Sequence, residues 1–128
     1  MNYNHEDLNK ISAAIVHCAL IVHKELGPGL LESVYEACLY KELTDQGWMV
    51  GRQVMMPVYY KGERLSADFR IDLLVEEKVI IELKAADYML PVFSAQLLTY
   101  LKLSEKKLGL LINFNVALLK EGIKRVVL

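Results

Sequence analysis

The sequence is poor in the residues that mark fibrous, disordered or stapled chains. It has only three prolines and seven glycines in 128 residues, which excludes collagen-like repeats and Pro/Gly linkers. It has two cysteines, Cys18 and Cys38, without a metal-ligand spacing. Each sits in an apolar helical stretch and reads as a small buried hydrophobe, so nothing asks for an oxidising compartment. No apolar run approaches the ~20 residues a bilayer needs; the longest, Ile11–Val22, contains His17. Met1–Lys10 is polar and carries Glu6 and Asp7, unlike a secretory signal. The expectation is a cytoplasmic protein with no membrane partner. A dominant charge sign is missing too: 15 basic and 16 acidic residues leave a net −1. That excludes a wholesale basic polymer-binder but leaves room for a local basic face.

What the chain does have is apolar content. A hydrophobic fraction of 54% suits one well-filled core, and the length suits a single domain over residues 1–128. The spacing of Leu8, Ile11, Ile15, Cys18, Ala19 and Val22 predicts a helix over about His5–Leu26, opened by Asn4 with Asp7 and ended by Gly27-Pro28-Gly29. A second helix is expected over Leu31–Gln46, with Leu31, Val34, Cys38, Leu39 and Leu43 as its apolar stripe. Strands are expected at Val54–Tyr60, Leu65–Val75 and Val79–Lys84. In the second of these, Ala67, Phe69, Ile71 and Leu73 should face one way and Asp68, Arg70, Asp72 and Leu74 the other. The unbroken Val79-Ile80-Ile81 predicts a central strand buried on both faces. A helix over Val92–Leu103, a strand at Leu108–Phe114 and an edge strand at Lys124–Leu128 complete the order ααβββαβ(β). This is an α/β chain of the α+β type, a mixed sheet with helices on its faces.

The chemistry concentrates around Asp72 and Glu82-Leu83-Lys84. A turn near Glu76-Glu77 pairs the two strands antiparallel and sets Asp72 opposite Glu82, with Lys84 on the same face as Glu82. Two close carboxylates raise one another's pKa unless a cation lies between them. Mg²⁺ suits such a pair, because it takes oxygen ligands and leaves positions for water and substrate phosphate; the Leu83 carbonyl could add an oxygen. A solvated, salt-bridged outer face is the plain alternative. Against it, a strand that reads as buried on both faces ends in charged residues, and buried charges are usually paired or metal-bound. The three side chains are expected side by side at one edge of the sheet. His5, His17 and His23 have no same-face metal spacing, and Gly27-Pro28-Gly29 lacks the Lys-Ser/Thr of a phosphate loop.

Asp72 followed by Glu82-Leu83-Lys84 resembles the signature of PD-(D/E)XK nucleases. Gly29-Leu30-Leu31-Glu32-Ser33-Val34-Tyr35 fits the motif that names the GxxExxY protein family, and Arg70–Val75, Ile81–Lys84, Gln96–Leu101 and Leu111–Phe114 look like that family as well. The resemblance implies a restriction-endonuclease-like core. It also implies a Mg²⁺-dependent phosphodiesterase acting on nucleic acid, with Mn²⁺ as a substitute and DNA favoured over RNA. By position it assigns Asp72, Glu82, the Leu83 carbonyl and Glu32 to the metal, and Lys84, Asp72, Glu82, Glu32 and Gln96 to catalysis. Substrate contacts fall to Tyr100, Arg70 and Gln96. Tyr35, one turn after Glu32, reads as a support for its helix. The sequence departs from the signature in one place: Ile71 stands where a proline precedes the Asp.

Residues 1–50 carry three basic and seven acidic groups, and residues 51–128 carry twelve and nine. The second part is therefore the side to face a polyanion, with a small surplus. That small surplus keeps open a second reading, a non-catalytic nuclease-fold module that binds a protein partner or nucleic acid. It also leaves room for a homodimer or a partner protein to complete the surface.

Overall fold

The computed structural model describes residues 5–128. Its elements are α1 (His5–Leu26), α2 (Glu32–Asp45), β1 (Val50–Tyr60), β2 (Glu63–Val75), β3 (Val79–Lys84), α3 (Pro91–Ser104), β4 (Leu108–Asn113), a short 3-10 helix (Leu119–Gly122) and β5 (Ile123–Val127). This is the expected order. Asn4, the expected start of the first helix, lies outside the described residues.

The five strands form one mixed sheet in the order β1-β2-β3-β4-β5. Neighbours are antiparallel except β3 and β4. A parallel pair needs a crossover, and α3 supplies it. The β2–β3 link is a three-residue turn, residues 76–78, in which Glu76 and Glu77 both take positive φ, 54° and 58°. Lys78 N–H closes it on Val75 O at 3.0 Å. Two left-handed residues match the right-handed twist of a hairpin, and this turn fixes the register Leu73↔Ile81 through Val75↔Val79.

Helices α1 and α2 cover one face of the sheet, and α3 covers the other. Ile15, Cys18, Tyr35, Leu39, Leu43, Leu73, Ile81 and Phe114 belong to the first core. Ile71, Leu74, Ile80, Leu97, Leu101 and Leu111 make the second. Val79 through Leu83 are all buried, so β3 is the central, two-sided strand its sequence implied. At Gly109 a Cβ would stand 2.7 Å from Leu97 Cδ1; glycine there lets α3 settle onto the sheet. No helix among the described residues is long and apolar enough to cross a membrane.

Three expectations need correction. The inward stripe of α2 is Tyr35, Leu39 and Leu43, while Leu31 is 73% and Val34 38% exposed. Leu31 sits before the first helical turn, so the apolar count began one turn too early. Ile71 and Leu73 do not share a core: Leu73 packs under α1 and α2, Ile71 under α3. Between their partners Arg52 and Val54, Gln53 takes a positive φ of 54° and drops out of the pairing, so strict alternation fails there. The charged group is also not at a lateral edge of the sheet. Both β2 and β3 are interior strands, and Asp72, Glu82 and Lys84 lie where their ladder ends.

Candidate active site

The register carries Asp72 opposite Glu82, one step beyond the last regular pair, Leu73↔Ile81. Here the strands part, and the Asp72 side chain bridges the gap: its Oδ2 accepts a hydrogen bond from Leu83 N–H at 2.9 Å. In an extended strand a residue's N–H and C=O point the same way, so the Leu83 carbonyl also faces the Asp72 side of β3.

Glu82 is 6% exposed, and its Oε1 is buried with no hydrogen-bond partner. Its pKa is pushed up to about 10. Burial is the largest cause, followed by hydrogen bonding to and repulsion from the Asp72 carboxyl; Lys84 pulls the other way. Lys84 extends over the Phe93 ring, with Nζ 4.6 Å from its centroid, a cation–π contact that holds the ammonium toward α3.

Glu32 opens α2, where the helix dipole favours an acid. It lines a cleft of ≈ 420 Å³ together with Glu36, Gln53, Arg70 and Asp72. Its pKa is raised first by desolvation and then by Asp72, with Lys84 lowering it. Glu32 thus stands within the field of both groups. Tyr35 fixes that placement: its hydroxyl donates to Gly27 O at 2.6 Å and accepts from Leu30 N–H at 3.1 Å. Its ring stacks on Phe114 at 4.6 Å. The tyrosine ties the Gly27–Leu30 turn, and with it the start of α2, to the sheet.

On the opposite flank, Tyr100 stacks on Phe69 at 4.7 Å. Desolvation raises its pKa first, then Glu82 and Asp72, while Arg70 lowers it. Gln96 is exposed one turn earlier on α3. Arg70 is exposed and lines the cleft beside Asp72. Asp68, two residues before Arg70, is paired with Arg64 at 3.0 Å.

Sequence reasoning missed the residues that brace the cleft. Buried Glu36 takes Arg52 Nε at 3.0 Å and also accepts from Gln53 Nε2. This clamp joins the helix that carries Glu32 to the strand opposite Asp72. The only signal for it was that Glu36 follows Glu32 at helical i,i+4 spacing. Asn113, 2% exposed, accepts from Ala86 N–H and donates to Ala86 O, while Phe114 N–H bonds Lys84 O at 2.9 Å. Together these contacts anchor the chain just after Lys84.

The donor chemistry fits a hard divalent cation. A buried carboxylate with an orphaned oxygen, beside a second carboxylate and a strand carbonyl, supplies oxygen ligands only. Among the described residues, no group of three or more His, Cys, Asp or Glu converges to cage an ion. The set is therefore a carboxylate pair, with Glu32 standing off.

Comparison with solved structures returns one described as "Crystal structure of SSO0001", at a TM-score of 0.56 and 19% identity. The match covers 75% of this chain and 50% of that one, so the chain spans about half its length; the likeness is one of fold. No curated protein matches. The family profile of the PD-(D/E)XK nuclease superfamily matches residues 9–126. The match runs from α1 to β5 and takes in the Asp72/Glu82/Lys84 cluster, so the chain belongs to the PD-(D/E)XK nuclease superfamily.

Proposed function

We propose that the protein is a Mg²⁺-dependent nuclease, with Mn²⁺ as a working substitute, of the GxxExxY branch of its superfamily. The observation that carries this reading is the orphaned, buried Oε1 of Glu82 next to Asp72 and Lys84. An acid kept in this place at a cost in solvation needs a cation or a proton.

Asp72, Glu82 and the Leu83 carbonyl would hold the ion, with Glu32 reaching it through water. When bound, the ion supplies Lewis-acid polarisation of the scissile phosphate and a more acidic water. Lys84 orients the attacking water and offsets the charge that grows on the phosphate oxygens. Arg70, Gln96 and Tyr100 contact the neighbouring phosphate or base, Arg70 from the cleft side and the other two from α3. The substrate is nucleic acid, DNA ahead of RNA. The site of action is the cytoplasm, where Cys18 and Cys38 remain thiols. A homodimer or a partner protein supplies the rest of a binding surface that the modest positive surplus leaves incomplete.

The test is a cleavage screen on single-stranded, duplex and branched oligonucleotides in Mg²⁺. Wild type should cut at least one of them and Asp72→Ala none. Equal cutting by the two proteins, or none by either, removes the nuclease reading and leaves a binding module of the same fold.

A further inference from the structure

The β1–β2 hairpin is much longer than the sheet requires. β2 runs from Glu63, whereas its pairing with β3 uses only Leu73–Val75. The overhang lies along α3, with Phe69 stacked on Tyr100. Its tip meets the far end of that helix, where Met56, Tyr59, Lys102 and Ser104 line a groove of ≈ 480 Å³. Tyr59 and Tyr60 are 56% and 61% exposed, and Lys61 Nζ stands 5.5 Å from the Tyr60 ring centroid. Lys61 and Lys102 are exposed beside these rings; Glu105 shares the groove, Glu63 pairs across from Tyr60, and Arg64, across from Tyr59, is tied to Asp68. Two open aromatic rings, one beside Lys61 and the other beside Lys102, suit a partner that offers a row of flat π faces along a charged backbone.

We infer that the hairpin tip and the C-terminal end of α3 form a second contact point for the nucleic-acid strand held at the Asp72/Glu82 site. The inference rests on the nuclease reading above and extends it to the length of the substrate. Tyr59 and Tyr60 stack on bases, and Lys61 and Lys102 meet phosphates. From Arg70, in the cleft, to Glu63, opposite Tyr60, the strand advances roughly 23 Å at ~3.3 Å per residue. With ~3.4 Å per nucleotide along one strand, that is about seven nucleotides. A strand bound only at the cleft cannot reach the tip; one that extends further gains the stack.

The test uses fluorescein-labelled oligonucleotides of 4 and 20 nucleotides, single-stranded and duplex, in EDTA, with binding read by anisotropy. Tyr59→Ala/Tyr60→Ala should lower affinity for the 20-mer by about tenfold, the scale of lost base stacking. Binding of the 4-mer should not change, and Tyr59→Phe/Tyr60→Phe should restore the 20-mer. Both tyrosines are exposed, so the variants should keep the wild-type circular dichroism spectrum. Wild-type affinity of the alanine variant for the 20-mer, or an equal loss for both lengths, overturns the second contact and leaves the nuclease reading standing. If the same substitutions dissolve a dimer in sedimentation and leave oligonucleotide binding intact, the tip is a protein interface and the inference fails. Failure of every oligonucleotide to bind or be cut removes both readings.

Discussion

Glu36 and Glu82 are equally buried, each 6% exposed; the first lines the cleft and the second stands against Asp72, which also lines it, yet their surroundings differ. Glu36 is matched on both oxygens, by Arg52 and by Gln53. Glu82 has an orphaned oxygen and a second carboxyl for a neighbour. A buried acid with a cation built in is a clamp. A buried acid without one has to be neutralised from outside, by a proton or a metal ion. The first glutamate holds α2 against β1; the second, on the proposed reading, is left for an ion.

The sharpest way to break this comparison is to separate holding the ion from doing the chemistry. Lys84→Ala should cut cleavage by about a hundred- to a thousandfold, in line with the loss of an electrostatic contact to the transition state. It should bind the metal as well as wild type or slightly better, because it removes a positive neighbour and no ligand. Asp72→Ala should lose metal affinity and cleavage together. Single-turnover rates and metal titrations on the two variants distinguish the outcomes; cleavage by Lys84→Ala at the wild-type rate reduces Lys84 to an ion-pair partner.

Glu82→Gln should also lose the metal, but in EDTA it should be more stable than wild type by about 1–3 kcal/mol at pH 8. The sign follows from the raised pKa. Folded Glu82 titrates near 10 and the ordinary carboxyl near 4.5, so the folded state binds the proton more tightly. Its stabilising contribution is complete below the unfolded value and is lost as pH climbs toward the folded one. Wild type in EDTA should therefore lose stability between about pH 5 and 10 relative to Glu82→Gln, as read by urea denaturation at several pH values.

Glu36→Ala should do the reverse. It should destabilise the metal-free fold by about 1–2 kcal/mol, since it leaves Gln53 and Arg52 without their acceptor. Metal affinity should fall only modestly, because Glu36 is no ligand. Glu36→Gln keeps one acceptor oxygen and should fall between that variant and wild type. If Glu36→Ala removes metal binding as completely as Asp72→Ala, the two glutamates do not divide the work this way.

Much of this was legible in the sequence because the signals were local. Val79-Ile80-Ile81 announced a two-sided strand, the Glu76-Glu77 turn set the register that brings Asp72 to Glu82, and Gly27 and Gly29 broke the first helix from the second. Gly29, Glu32 and Tyr35 turned out to be one device, in which Tyr35 bonds back to the turn and so places Glu32. What escaped depends on contacts distant in sequence. The left-handed Gln53 carries no glycine or asparagine signal. It moves Ile71 to the α3 side and brings the Gln53 amide to Glu36. The site's position between interior strands followed from β4 and β5 adding beyond β3, a choice made by the α3 crossover and not by the hairpin itself.

The central claim is that the Asp72–Glu82 pair holds a proton in the free protein and exchanges it for a divalent ion. Calorimetric titration with Mn²⁺ at pH 7, repeated in buffers of different ionisation enthalpy, reads the ion and the proton together. The account predicts a single site, release of about one proton per ion bound, and loss of both signals in Glu82→Gln. Binding without proton release that survives Glu82→Gln, or no binding at all, would contradict it.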